Sequence, residues 1–214
     1  MASPMQDLVD LTGGDWAFLV KAVGGPQNVL RLKRGELKLT LEVVKMVLRC
    51  DASFDPASFI GSEWTPWRGP VDGNGLEGAI EQDERSLALK EIDWTQVRFE
   101  HYLNDGEKTI KGEEKLKRAI AAGHIRFGGN VLLSLWNDYK ENKGNSVLEW
   151  IYRTHGIEFL DFLGLTLRDP GGNRSVLYLY RDGREWDWNC DWLGREWVAR
   201  DLSGVPDSTS GSAT

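Results

Sequence analysis

Hydrophobic positions along the chain follow two periods, helical and alternating, mixed through the first two thirds and mainly alternating in the last third. Near the start, Trp16, Phe18, Leu19, Val20 and Val23 cluster behind Gly13-Gly14-Asp15, and Asp15 has the chemistry of a helix cap. Gly24-Gly25-Pro26 interrupts that cluster. The next stretch mixes periods. Leu37, Leu39 and Leu41 alternate, whereas Leu41, Val44, Lys45 and Leu48 fit a helix, so part of it is read as helical. Residues 54–78 are rich in Gly and Pro and read as a long irregular connection. Residues 86–92 and 97–103 alternate like half-buried strands, with Val97, Phe99, His101 and Leu103 on one face of the second. GEEKLKRAIAAG is a short helix ending at Gly123. Val131, Leu132, Leu135, Trp136 and Tyr139 give residues 130–143 an apolar helical face. Ser146 and Glu149 stand at capping-box spacing at the head of a further helix, 146–154.

The last third predicts a three-stranded meander over 157–167, 175–180 and 185–192, joined by Asp169-Pro170-Gly171-Gly172-Asn173 and by Asp182-Gly183. A two-residue Asp182-Gly183 loop sets Arg181 opposite Arg184, Leu179 opposite Trp186 and Leu177 opposite Trp188. One face is then Leu177, Leu179, Trp186, Trp188 and Cys190. The other is Val176, Tyr178, Tyr180, Glu185, Asp187 and Asn189. The Arg181–Arg184 pairing is the weak point of this register, because like charges directly opposed repel. The fold class is α+β. Residues 1–52 form a candidate helical subdomain, 53–205 an α+β domain, and the small polar residues of 206–214 a disordered tail.

Composition narrows the function. Lys and Arg number 26 against 33 Asp and Glu, a net charge of −7, so a global basic footprint for nucleic acid is absent. No apolar run is long enough to span a membrane, and no export signal stands at the N-terminus. A cytoplasmic protein with reduced thiols at Cys50 and Cys190 is expected.

Three segments stand out together: FIGSEWTPWRGPVDGNGLEG with DERSLALKEID, then GEEKLKR, then LRDPGGNRSVLYLYRDGREWDWNCDWL. Their combination resembles a family of hypothetical proteins of candidate-phylum bacteria with small genomes (the Patescibacteria group), over about residues 54–205. The resemblance implies a bacterial cytoplasmic protein. It carries no activity, cofactor or catalytic residue.

Catalytic signals are sparse. His155 with Glu158 and Asp161 nearby has the residue types of a general base and an orienting carboxylate, but no nucleophile motif accompanies it. The simpler reading puts His155 at a helix C-terminus closed by Gly156. His101 reads as a half-buried strand histidine and His124 as exposed. Glycine-rich GGPQN, GNG and GGN match no phosphate loop, and Asp72-Gly73-Asn74-Gly75 and Asp187 to Asp191 lack the later ligands of a calcium loop. No cofactor or metal is indicated. Arg31, Lys33, Arg34 and Lys38 concentrate positive charge in a helix–glycine–helix pattern, a weak DNA-binding candidate.

The positive signal is surplus aromatics. The chain has 10 tryptophans. Trp64 and Trp67 fall in an irregular loop, and Trp192 and Trp197 at or past the last strand, where exposure is expected. The mixed face, with Tyr178 and Tyr180 beside Glu185 and Asp187, is a candidate surface for a small polar ligand or a protein partner. The leading expectation is a non-enzymatic cytoplasmic binding or interaction module. An acid–base enzyme using His155 and a DNA-binding N-terminal helix are the alternatives.

Overall fold

The computed structural model describes residue 20, residues 24–36 and residues 46–206. The cluster around Trp16, the segment containing Lys38 and the tail 207–214 lie outside the described residues. The chain divides into two units, Met1–Val44 and Lys45–Thr214. In the smaller, helix α1 (Pro26–Lys33) starts with proline in its first turn, where a missing N–H is tolerated, and ends at Arg34.

The larger unit is built on one mixed sheet, as an α+β chain. Its long strands are β6 (Phe159–Arg168), β7 (Arg174–Asp182) and β8 (Glu185–Trp192), the antiparallel meander expected from the sequence. On the other side of β6, β10 (Leu202–Pro206) pairs parallel to it and then antiparallel to β4 (Val97–Glu100). The short β2 (Thr65–Pro66) also pairs with β6. Away from this sheet, β1 (Val47–Arg49) pairs with β3 (Glu91–Asp93), and β5 (Thr109–Lys111) with β9 (Glu196–Val198). Because β1 belongs to this unit, the unit starts ahead of the expected boundary at 52.

Helices cover both faces of the sheet, which is why all but the two ends of β6 are buried and why it reads as a nearly unbroken apolar run. One core joins Phe162, Leu177, Leu179 and Trp186 to α5 (Gly129–Asn142) and α6 (Val147–His155). A smaller core joins Leu163, Val176 and Trp197 to Leu116 and Ala119 of α4 (Gly112–Ala121). The caps follow the sequence. Ser146 Oγ accepts from Glu149 N at 3.3 Å, and Gly156 closes α6 with φ 69°, a conformation only glycine adopts freely.

Three local expectations change. Residues 86–92 are not one strand. Asp83 caps the short helix α3 (Glu84–Ala88) by accepting from Arg85 N, and only then does β3 begin. A good N-cap outweighs a short alternating pattern. The strand predicted over 97–103 stops at Glu100, because Tyr102 turns the backbone to φ 59°. His101 is consequently exposed, and His124 is half-buried with Nδ1 2.9 Å from the Tyr102 hydroxyl. Residues 54–78 are not wholly irregular, since Asp55 caps a single turn, α2 (Pro56–Phe59), ahead of β2.

The β7–β8 hairpin is displaced by one residue at its tip. Asp182 pairs with Glu185 and the loop is Gly183-Arg184, so Leu179 meets Trp188 and Leu177 meets Cys190. Moving the loop by one residue moves each pairing by two, which keeps every side chain on its expected face. The change separates the two arginines. Arg181 lies opposite Trp186, lies 3.1 Å from Glu149 and stacks on Tyr152.

Candidate functional site

The mixed face of the meander forms one wall of a cleft of about 300 Å³. Register explains how this wall is assembled. The ladder between β6 and β7 shifts between Phe162 and Leu167, and beyond the shift Phe159 meets Tyr180 and Asp161 meets Tyr178. Within the shift, Gly164 leaves β7 and bonds instead with Phe127 and Asp83. It must be glycine, because a Cβ there would come within 2.1 Å of the Arg126 carbonyl oxygen. The bulge changes the parity of β6, so Phe159 and Asp161 join the face of Tyr178 and Tyr180. The rings form a rack. Phe159 stacks with Tyr178 at 6.4 Å and with Tyr180 at 6.3 Å between centroids, and the two tyrosines are 5.5 Å apart.

The opposite wall comes from the chain after β8. The turn at Arg195, strand β9 and the turn at Arg200 and Asp201 fold back over the rack, and pairing with β5 pins β9 in place. Trp197 lines the cleft and is 97% buried, being 3% exposed. Its indole N–H has no hydrogen-bond partner among the described residues.

Beneath the cleft lies a buried polar cluster. Lys115, on α4, is fully buried and places Nζ 2.6 Å from Asp161 Oδ2. The same ammonium donates to the Asp201 carbonyl and sits 5.2 Å from the centre of the Trp197 ring. Ser203, which pairs with Asp161 across β10 and β6, donates its hydroxyl to the other carboxylate oxygen. Burial pushes the Asp161 carboxyl up, while the Lys115 charge and the two hydrogen bonds pull against that shift. The ion pair and the Ser203 hydrogen bond link α4, β6 and β10. Lys115 and Ser203 do not line the cleft, so neither presents a nucleophile to it.

At the rim, Asp191 is half-buried, lies 3.3 Å from Arg195 and accepts from Trp192 N. Burial raises its carboxyl above the usual range; Arg195 opposes the rise and Asp201 adds to it. Burial, with Asp191 nearby, raises the Tyr178 phenol as well. The Arg200 guanidinium lies 4.7 Å from the centre of the Phe159 ring.

Among the residues singled out in the sequence, Tyr178, Asp161 and Trp197 line this cleft, and Tyr180 stacks behind it. Glu185 and Asp187 are exposed and outside it. The expected exposure of the loop tryptophans holds for one of them. Trp192 is 48% exposed. Trp67 is buried, its indole donating to the Pro70 carbonyl at 3.1 Å and its ring covered by Arg174 at 5.0 Å; that arginine is clamped by Glu81 and Glu113. Trp197 is buried because β9 carries it onto α4, and Trp64 is half-buried against the larger core. Irregular backbone did not mean an exposed side chain at these positions.

The catalytic grouping of His155, Glu158 and Asp161 is not assembled. His155 is exposed at the end of α6, its ring against Phe99 and Trp150; Glu158 is exposed; Asp161 is committed to Lys115 and Ser203. On α1 and its C-cap, Arg31, Lys33 and Arg34 are exposed, and Glu36 lies 3.5 Å from Arg31 and 3.1 Å from Arg34, partly offsetting the basic surface. Phe159, Arg195, Arg200 and Asp201 belong to the cleft without having been singled out, and Asp191 was weighed only as part of a calcium-loop echo. No helix among the described residues is long and apolar enough to cross a membrane. The chain matches no protein-family model, no curated protein and no solved structure.

Proposed function

We propose that the protein is a non-enzymatic module that binds a small polar ligand in the cleft between the aromatic rack and the β8–β10 connection. The observation that carries this reading is the cleft itself: a concave space lined by Phe159, Tyr178 and Trp197, with Asp191, Arg195 and Asp201 converging on it. Aromatic surface with a few placed polar groups is the usual make-up of a small-molecule site. The Lys115–Asp161–Ser203 cluster supports it from below as a rigid base. The same reading takes the chain to be a bacterial cytoplasmic protein, resting on the segment resemblance over about residues 54–205 and on two free cysteines, Cys50 and Cys190.

Saturation-transfer NMR on wild type and Tyr178→Ala, with a mixture of amines, sugars and short carboxylates, tests the reading. At least one compound is expected to receive saturation from wild type and to lose it in the variant. Equal transfer to both proteins, or none to either, would overturn it.

A further inference from the structure

Resting on that reading, we infer that the ligand is an organic cation, of the guanidinium or alkylated-ammonium class, and that Arg200 holds its position when the cleft is empty of ligand. Arg200 is an exposed residue with acidic neighbours in the cleft, Asp191, Glu196 and Asp201. A guanidinium in water at such a rim would ordinarily be expected beside a carboxylate. Among the described residues no carboxylate lies within ion-pair distance of it; it lies over Phe159 instead, at 4.7 Å. The ring face at the cleft is thus a place where a planar cation rests, as the negative face of an aromatic ring allows.

The charges around that position are left over in the right sense. Lys115 answers Asp161, and Arg195 answers Asp191. Asp201 accepts the Val198 N–H at 2.8 Å but has no cation paired to it among the described residues, and neither has Glu196. Two of the residues lining the cleft therefore carry carboxylates with no ion pair among the described residues, and Asp191 is half-buried in the field of one of them. A bound cation relieves that field and gains the ring at the same time. The acids are not gathered for an inorganic ion, since no three His, Cys, Asp or Glu among the described residues stand as metal ligands. A ligand cation enters by displacing the Arg200 guanidinium, which swings back to solvent on its own turn between β9 and β10.

Titration of 15N-labelled protein with methylguanidinium and with tetramethylammonium, at constant ionic strength, tests the inference. The comparison probes are a neutral methyl glucoside and sodium acetate. A cation is expected to shift the amide signals of Phe159, Tyr178 and Asp201, and Arg200→Ala is expected to tighten binding about fivefold by removing the internal competitor. Phe159→Leu, which keeps an apolar side chain, is expected to weaken it by a similar factor. Weaker cation binding in Arg200→Ala would overturn the displacement. Shifts at the same residues with the glucoside or acetate, and none with either cation, would overturn the cation class while leaving the cleft a ligand site. Shifts with none of the four probes would overturn the cation class, and the broader compound mixture then decides the site itself.

Discussion

Strands β7 and β8 carry two faces of similar size and opposite fate. On one, Leu177, Leu179 and Trp186 are sealed between the sheet and helices α5 and α6. On the other, Val176 is sealed under α4, but Tyr178 and Tyr180 remain half-buried and Glu185, Asp187 and Asn189 meet solvent. The first face is covered by helices over Leu177, Leu179 and Trp186, with Trp188 and Cys190 half-buried at its far end. The second is covered only where α4 and the β9 segment reach, and the cleft is the gap at the edge of that cover. Aromatic side chains do different work on the two: Trp186 fills space, whereas Tyr178 shapes it. Counting aromatics along a strand does not separate these roles, but asking what covers each face does.

The comparison can be broken by substitution. Trp186→Ala opens a cavity in the sealed face and is expected to lower stability by about 3–5 kcal/mol while leaving ligand signals at the cleft in place; urea unfolding measures the first and NMR the second. Lys115→Ala strands a buried carboxylate and is expected to lower stability by about 3–5 kcal/mol. Lys115→Met combined with Asp161→Leu is expected to recover most of that loss in the same urea series, since neither charge is then left alone. Tyr178→Ala is expected to lower stability by only about 1 kcal/mol, because the ring is part-exposed, and yet to remove ligand binding. A loss as large as that of Trp186→Ala would mean the two faces do not differ.

Acid sharpens the picture further from the cleft. Two hydrogen bonds from Arg118 hold the Glu107 carboxyl down at about 2. Asp83 is also lowered: burial works against it, but Arg85 and the Arg126 N–H prevail. Both carboxyls bind a proton less readily in the folded chain than in the unfolded one. Their stabilisation is present above about pH 4 and is lost as pH falls toward about 2. Asp161 and Asp191, raised by burial, act with the opposite sign. The stability gap between wild type and Glu107→Gln is therefore expected to shrink on acidification, read from urea midpoints between about pH 7 and 2. The smallest effect is expected from Trp192→Ala. The residue is 48% exposed and its ring lies over Gly194, so unfolding should change by less than about 0.5 kcal/mol.

Much of the fold was legible because period and punctuation agree. The α4 and α6 helices end where Gly123 and Gly156 stop them, and the faces of β7 and β8 survived an error in the hairpin tip because a displacement of two preserves alternation. The cleft was legible in pieces: Tyr178 through the mixed face, Trp197 only as a surplus aromatic and Asp161 only as a catalytic candidate. Counting back from the Asp169–Asn173 turn sets Asp161 opposite Arg181; the β6 bulge at Gly164 changes that count and carries Asp161 onto the Tyr178 face. The bulge exists because Gly164 bonds with Phe127 and Asp83, contacts made from far along the chain. Lys115 reads in sequence as one more charge of a solvated helix, and nothing local marks it as the buried partner of Asp161. Arg200 and Asp201 reach the site from a turn after β9, whose pairing with β5 is long-range too.

The central claim is that the two faces of one hairpin divide labour, and the indole N–H signals of Trp186 and Trp197 report on one face each. A single 1H–15N spectrum recorded with and without saturating methylguanidinium measures both. The expected result is a displaced Trp197 signal with Trp186 unmoved. A displaced Trp186, or a Trp197 signal moved neither by methylguanidinium nor by any compound of the broader mixture, would contradict it.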